Sequence, residues 1–326
     1  MRTSAFAELF DSRRGEALAV AARFDGPPHL VSLDDVPPDR LASIEILLTG
    51  WDAPRLSDDV LRRLPSLRAV LHCGGSVRGI VSDELWRRGI AVTSVPDVNA
   101  VPVAEFAFAS IVLAGKRAQV FAAVSARARS DWSYLTRWGD LGNAGRTIGI
   151  VGFSQVGRRV VRLVQSLSNV SCLVADPYAD ADDVARSGAR LVALDTLLPV
   201  VDTLSLHAPA TAETYHLIGA SELARLKDHA TVVNTARGSL IDTAALEAEC
   251  LAGRLHAVLD VTDPEPLPDD SALYGLPNVT LTPHIAGSMG SEMGALADAV
   301  LAQLAAYVRG EPLPGRVVES DMGIIA

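Results

Sequence analysis

Short apolar runs alternate along the chain with amphipathic stretches, and this pattern predicts an α/β protein. The clearest run is Thr147–Val151, which is β-branched and uncharged, as expected of a strand buried on both faces. Just after it, apolar residues recur at helical spacing, at Val156, Val160, Val164 and Leu167. A buried strand followed by an amphipathic helix is the first half of a βαβ unit, which requires a parallel sheet.

The same alternation extends to both sides of this unit. Further strands are predicted at Ala17–Ala22, Ile44–Thr49, Leu67–His72, Ile90–Val95, Val170–Ala175, Leu204–His207, Thr231–Thr235, Leu255–Asp260 and Val279–Thr282. Further helices are predicted at Asp58–Leu64, Ser82–Arg88, Val101–Arg117, Ser221–Lys227, Thr243–Ala252 and Ser288–Arg309. Because a long helix follows the last strand, we expect the C-terminus to return to the first domain. The predicted domains are residues 1–100 with 288–326, and residues 101–287.

Composition and charge narrow the class of protein. A chain of 326 residues is long for one core, so two domains are expected. The net charge of −10 argues against nucleic acid and anionic membranes as partners. Three widely spaced cysteines indicate neither a disulfide framework nor a zinc site, which favours the cytoplasm, and no metal is predicted. The longest uncharged apolar stretch, Phe106–Gly115, is short for a membrane span.

The turn after Thr147–Val151 carries the first candidate site. Gly152 and Gly157 bracket this turn, and Asp176 follows Gly157 by 19 residues, at the end of the next predicted strand. This arrangement predicts a dinucleotide site, with the pyrophosphate at the helix N-terminus and the carboxylate on the ribose hydroxyls. Because a carboxylate repels a 2′-phosphate, Asp176 favours NAD over NADP.

Ser154 departs from the usual pattern of this turn. It occupies the position where a middle glycine lets the backbone approach the phosphates. Its Cβ takes up space there, but its hydroxyl could donate to a phosphate oxygen. The alternative interpretation is a glycine turn in an α/β domain that binds no nucleotide.

Three polar segments follow predicted strands, where ligands collect in parallel sheets. They contain Arg237, the pair Asp260 and Glu265, and His284. An arginine can clamp a carboxylate through its planar fork. A histidine can exchange a proton with a reacting oxygen while a glutamate holds the imidazole in place. These residue types suit a carboxylate substrate that undergoes proton transfer.

With these motifs the chain resembles the D-isomer-specific 2-hydroxyacid dehydrogenases, which include phosphoglycerate, glycerate and D-lactate dehydrogenases. Arg237 matches the arginine of an N-x-x-R-G segment, Glu265 lies five residues after the aspartate of a D-V motif, and His284 lies in T-P-H. The resemblance implies a Rossmann-type NAD domain inserted in a flavodoxin-like substrate domain, both doubly wound with parallel sheets. It also implies a homodimer.

The resemblance assigns roles to individual residues. The implied catalytic residues are Arg237, Glu265 and His284. The implied or predicted cofactor contacts are Val103, Gly152, Ser154, Gln155, Val156, Gly157, Asp176, His207, Thr235, Ala236 and Asp260, with Asp260 on the nicotinamide carboxamide. Glu265 argues against the formate-oxidising relatives, which have glutamine at this position.

The implied substrate loop differs most from the family pattern. The family commonly reads G-x-G-x-D-N-I-D, but this chain has Gly74, Gly75, Ser76, Val77 and Arg78 followed by Gly-Ile-Val. The backbone N–H groups of Gly75–Val77 could still bind a carboxylate. We hypothesise that Arg78 contacts a second anionic group of the substrate. The alternative is a solvated arginine, or one that is paired across a dimer.

The sequence therefore predicts an NAD-dependent oxidoreductase that interconverts a small 2-oxo acid and its D-2-hydroxy acid. Two alternatives stay open. One is an NAD(H)-sensing, corepressor-like binding protein, and the other is a dehydrogenase of another small oxyanion such as phosphite.

Overall fold

The structure is a computed structural model that describes residues 3–24, 29–125 and 138–323. The chain divides into two compact units, Met1–Ala100 with Ser288–Ala326, and Val101–Gly287. The described strands are β1 Ile46–Thr49, β2 Ala69–His72, β3 Ala91–Thr93, β4 Thr147–Val151, β5 Ser171–Ala175, β6 Arg190–Leu191, β7 Thr203–Leu206, β8 Thr231–Asn234, β9 His256–Leu259, β10 Val279–Leu281 and β11 Arg316–Val317.

Helices fill most of the connections between these strands. The described α-helices are α1 Thr3–Leu9, α2 Ser12–Ala21, α3 Pro38–Ser43, α4 Asp58–Arg62, α5 Asp83–Arg87, α6 Pro96–Gly115, α7 Ala118–Val124, α8 Gln155–Val164, α9 Ala181–Arg186, α10 Leu194–Leu197, α11 Ala220–Ala224, α12 Thr243–Leu251 and α13 Met293–Val308. Short 3₁₀ turns lie at Leu198–Val200, Gly238–Leu240, Ala272–Gly275, Gly290–Glu292 and Glu319–Gly323.

The first unit contains a four-stranded sheet in the order β1-β2-β3-β11. The first three strands are parallel, and β11 pairs with β3 in the antiparallel sense. Side chains of β2 alternate between two buried clusters: Val70 packs with Leu85 and Val92, whereas Leu71 packs with Leu296 of α13. The long C-terminal helix therefore belongs to the core of the first unit.

The second unit contains a seven-stranded parallel sheet in the order β10-β9-β8-β7-β4-β5-β6. Successive residues of β4 face opposite cores. Ile148 and Ile150 pack with α8, whereas a Cβ at Gly149 would lie 2.6 Å from the Leu197 side chain on the other face. Helices thus cover both faces. The order of strands reverses between β4 and β7, which is where ligands bind in such sheets.

One predicted strand is wrong. The stretch Ala17–Ala22 lies almost wholly in the helix Ser12–Ala21 and is not a strand. The Asp11 side chain caps this helix by accepting a hydrogen bond from the Arg14 N–H at 2.8 Å. Alanine is the best helix former, so the alanine-rich stretch continues the helix once it has started.

The apolar helix near the unit boundary is longer than predicted. It begins at Pro96, includes Pro102 and ends at Gly115. At 20 residues and a mean hydropathy of 1.7, it is long and apolar enough to span a bilayer by length and composition alone. Its longest uncharged part is still Phe106–Gly115, and core helices of globular proteins meet the same criterion of length and composition.

Candidate active site

The carboxyl ends of the seven parallel strands lie at one edge of the sheet, and nearly all of the predicted cofactor and catalytic residues follow them. The glycine turn follows β4, Asp176 follows β5 and His207 follows β7. Thr235 and Arg237 follow β8. The segments with Glu265 and His284 follow β9 and β10.

The two glycines of the turn are required by close backbone packing. Gly152 has a φ of +92°, and a Cβ there would lie 2.6 Å from the Ala208 nitrogen. A Cβ on Gly157 would collide with the carbonyl oxygen of Gly152. The turn therefore brings β4, α8 and the end of β7 together.

The Ser154 hydroxyl caps the helix that follows the turn. It donates to the His207 carbonyl oxygen at 2.9 Å and accepts from the Gly157 N–H at 3.4 Å, as the N-cap of α8. Its one proton is therefore engaged by the His207 carbonyl in this structure. The N–H groups of Gln155 and Val156 start the helix and have no acceptor inside it, so they face the region where an anion would bind.

Asp176 joins the end of β5 to the glycine turn. Its two carboxylate oxygens accept hydrogen bonds from the N–H of Phe153 at 2.7 Å and of Tyr178 at 2.8 Å. An ionised carboxylate has about four acceptor positions, so about two are left for ribose hydroxyls.

Two buried polar atoms test whether this edge fits a nucleotide. Thr235 Oγ1 and His207 Nδ1 are buried and have no hydrogen-bond partner in the described parts of the chain. His207 Nε2 lies 2.9 Å from Ser205 Oγ, and burial lowers the pKa of His207 to about 3, so the ring is neutral. Buried polar atoms at the strand ends that lack a protein partner can form hydrogen bonds with a polar ligand. The site fits NAD.

His284 and Glu265 form a direct pair. Nδ1 of His284 lies 2.7 Å from Oε1 of Glu265, which leaves Nε2 as the nitrogen that can face a substrate. The His284 and Glu265 side chains are 52% and 43% exposed, so the pair is accessible. His284 has a φ of 56°, an uncommon backbone conformation that Asp260 O helps to hold by accepting its N–H at 3.0 Å.

Asp260 organises the His284 segment, a role that sequence reasoning missed. Its carboxylate accepts hydrogen bonds from the N–H groups of Ile285 and Ala286, both at 2.8 Å, and from the Thr282 hydroxyl at 2.6 Å. Three donors fill most of the acceptor capacity of a residue that is only 2% exposed. The predicted contact with the nicotinamide carboxamide would therefore have to use the remaining acceptor position of the Asp260 carboxylate. In the sequence, the threonine of the T-P-H motif is the signal from which this role of Asp260 could have been predicted.

Arg237 is positioned by its own segment. Asn234 is buried, its side chain accepting the Ala236 N–H at 3.0 Å and donating to Arg237 O at 2.9 Å. A Cβ on Gly238 would collide with the Thr262 carbonyl, so the arginine segment packs directly on the chain that leads to Glu265. The structure thus brings together the segments of all three predicted catalytic residues, within the second unit.

Other predicted residues lie elsewhere. Val103 is buried in α6 of the second unit. Gly74–Arg78 belong to the first unit, directly after β2. In this loop Val77 is buried in the core, so only its backbone can face a ligand, and Arg78 is half-buried.

The fold and the site together define a nucleotide-binding domain of the class found in dehydrogenases, with an accessible histidine–glutamate pair at the carboxyl edge of its sheet. Residues 111–286 match the NAD binding domain of the D-isomer specific 2-hydroxyacid dehydrogenases. The chain belongs to this family, and its cofactor is NAD.

Named relatives agree with this assignment. The chain is 33% identical over 300 residues to a glyoxylate reductase of Korarchaeum cryptofilum, covering 89% of each chain. It is 35% identical over 235 residues to an (S)-sulfolactate dehydrogenase of Chromohalobacter salexigens, covering 72% of this chain and 75% of the relative. A D-lactate dehydrogenase of Aquifex aeolicus, solved with NAD and lactic acid, is 25% identical with a TM-score of 0.70, covering 86% of this chain and 87% of that one.

Proposed function

We propose that the protein interconverts a small 2-oxo acid and its D-2-hydroxy acid, with His284 as the acid and base. The observation that carries the proposal is the 2.7 Å contact between His284 Nδ1 and Glu265 Oε1 at the carboxyl edge of the NAD-binding sheet. When bound, NADH would supply the hydride that reduces the 2-oxo carbon.

His284 acts at the substrate oxygen. With Nδ1 fixed by Glu265, Nε2 donates a proton to the carbonyl oxygen during reduction and accepts it during oxidation. Asp260 holds the segment, so the ring meets the substrate with its orientation already set.

Arg237 binds the substrate carboxylate and polarises the adjacent carbonyl. A guanidinium presents a planar pair of donors that matches a carboxylate. For the first unit, we propose that the backbone N–H groups of Gly75–Val77 bind a carboxylate.

Steady-state NADH oxidation with a panel of 2-oxo acids tests this proposal. Wild-type protein should consume NADH with at least one small acid, and His284→Ala should lose about 10²–10⁴-fold in kcat while still binding NADH. Tight NADH binding without turnover would instead indicate an NAD(H) sensor. Formation of NADH from NAD⁺ and phosphite, with no turnover of any 2-oxo acid, would indicate a dehydrogenase of another oxyanion.

The substrate class depends on Arg78. Relatives are named for glyoxylate, which carries one charge, and for sulfolactate, which carries two. We propose that Arg78 favours a dianionic acid, so Arg78→Ala should reduce kcat/KM for sulfopyruvate about tenfold more than for glyoxylate. Equal losses for both acids would contradict this assignment.

We also propose a cytoplasmic homodimer. The three cysteines are free and buried, which suits a reducing compartment. The dimer rests on the family resemblance, and light scattering on the purified protein should give twice the mass of 34.4 kDa.

A further inference from the structure

A buried cluster of polar side chains lies at the amino ends of the parallel strands in the second unit, opposite the edge that carries the candidate active site. Thr231 begins β8, His256 begins β9, and Arg117 lies in the turn between α6 and α7. These three residues line a cavity of about 10 Å³ and are 5% (Arg117), 2% (Thr231) and 3% (His256) exposed. A cavity of this size holds one water molecule or one small ion.

The guanidinium of Arg117 is buried among neutral hydrogen-bond acceptors. It donates to Trp138 O at 2.9 Å, to Ala114 O at 3.5 Å, to Thr231 Oγ1 at 2.8 Å and to His229 O. One of its five N–H groups is left without an acceptor among the residues that the structure describes. Burial, with the nearby charge of Arg146, lowers the pKa of Arg117 to about 10, so the group is still charged at pH 7. The cavity therefore borders a buried cation.

The carboxylates near Arg117 do not bind it directly. Asp202 and Asp140 act on Arg117 only through their charge, without a hydrogen bond to it in the described ranges of the chain. The Asp202 carboxylate is shared by Lys227, at 3.1 Å, and Arg146, at 3.4 Å. Since a buried charge without a counter-ion is unfavourable, this surplus of positive charge favours an anion in the cavity over water or a metal cation.

Two further side chains can donate a hydrogen bond into the cavity. Thr231 Oγ1 accepts from Arg117, and its own proton has no acceptor in the parts of the chain described. Both ring nitrogens of His256 are buried and have no partner there, and burial with the nearby charges of Arg117 and His229 lowers the pKa of this histidine to about 3. The ring is therefore neutral, and its one proton can reside on whichever nitrogen faces the cavity. Asn278 also lines the cavity but uses both amide N–H groups on backbone carbonyls, so it adds no donor.

We propose that this cavity binds one small monovalent anion, chloride, through an N–H of Arg117, the Thr231 hydroxyl and an N–H of His256. The anion offsets the buried guanidinium charge and links the first residues of β8 and β9 to the turn after α6. Because Arg117 supplies the positive charge, His256 stays neutral in the complex. The site lies at the other end of the strands from the catalytic residues, so it does not depend on the proposed function.

Urea unfolding in mixtures of sodium chloride and sodium gluconate, at constant ionic strength, tests the proposal. Gluconate has the same charge as chloride but is too large for the cavity. For the wild-type protein, the equilibrium constant for unfolding should fall as chloride rises, by about tenfold when chloride reaches about ten times its Kd. General effects of the two salts on protein solvation are shared by a variant that lacks the site, so they cancel in the comparison with that variant.

Two variants of equal side-chain length supply this comparison. His256→Met removes the N–H donor, whereas His256→Gln keeps an amide donor. His256→Met should weaken chloride binding about tenfold or more, as expected for the loss of a hydrogen bond to a charged group, and His256→Gln should stay within about threefold of wild type. Equal chloride dependence in all three proteins, or an equal loss in both variants, would overturn the proposal.

Anomalous diffraction from crystals grown in sodium bromide locates the anion independently. We expect a bromide peak in hydrogen-bond contact with the Arg117 guanidinium in the wild-type protein, and none there in His256→Met. Electron density without an anomalous signal would show that the cavity holds water and would overturn the proposal. A bromide peak without chloride dependence in solution would mean an adventitious ion only, and would overturn it as well.

Discussion

Ser154 illustrates how a neighbouring carbonyl decides the role of one hydroxyl. The sequence shows a serine where the family pattern has glycine, and a phosphate contact is the natural expectation. Because the turn brings His207 O within 2.9 Å, the hydroxyl donates there and caps α8 instead. This capping role is visible only in the structure, because it depends on how closely the end of β7 approaches the turn.

Ser154→Ala should therefore affect stability more than cofactor binding. Loss of the cap should lower the free energy of unfolding by about 1 kcal/mol, while the Kd for NADH stays within about threefold. Urea unfolding and fluorescence titration measure the two effects. Ser154→Gly is the control, since glycine is itself a tolerated N-cap and should cost only a few tenths of a kcal/mol. A more than tenfold weaker NADH complex in the alanine variant would mean that the hydroxyl does contact the phosphate.

The Asp260 network predicts a second residue-scale effect. Asp260→Asn replaces one acceptor oxygen by an NH₂ group that faces backbone donors, so we expect a loss of about 2–3 kcal/mol in stability and a marked loss of kcat. Thr282→Val removes only the third donor and should cost about 1 kcal/mol. Thermal unfolding and NADH oxidation measure both. A fully active, stable Asp260→Asn enzyme would show that the network does not position His284.

At the level of elements, the sequence predicts a strand or a helix best where the residue types are compatible with only one of the two. The run Thr147–Val151 is a strand with the predicted limits, because β-branched residues bounded by arginine and glycine have no helical alternative. By contrast, Ala17–Ala22 is an apolar run that also fits a strand, yet it is helical, and Leu18 is buried whereas Val20, two residues on, is exposed. Strand β11 has two residues, too few for any periodic signal.

Strand β9 begins with a buried histidine, which predicts a pH dependence. Burial, with the nearby Arg117 and His229, lowers the pKa of His256 to about 3. In the unfolded chain a histidine binds its proton near pH 6.5. Below that pH the unfolded state therefore carries more protons than the folded state, and stability falls as the pH is lowered.

His256→Phe should reduce this dependence. Between about pH 6 and pH 4 the slope of unfolding free energy against pH should decrease by up to about 1.4 kcal/mol per pH unit. Neither ring nitrogen of His256 has a hydrogen-bond partner among the described residues, so an apolar ring loses no such bond. Urea unfolding at several pH values checks this. A variant with an unchanged slope, and only a constant offset, would show that His256 does not titrate as described.

For the whole molecule, the sequence predicts the chemistry of the site better than its supports. Arg237, Glu265 and His284 are recognisable because their motifs are short and local. The support that Asp260 gives to the His284 segment is not, because its donors Thr282, Ile285 and Ala286 come from a distant segment of the chain. The residues that hold a site become visible only when the sheet registers are known.

The most direct test of the central claim measures the product. Wild-type protein is incubated with NADH and hydroxypyruvate, and both the NADH consumed and the configuration of the hydroxy acid are determined. We expect one D-hydroxy acid for each NADH consumed, and no product from a His284→Asn variant that still binds NADH. Formation of the L-isomer, or full turnover by that variant, would contradict it.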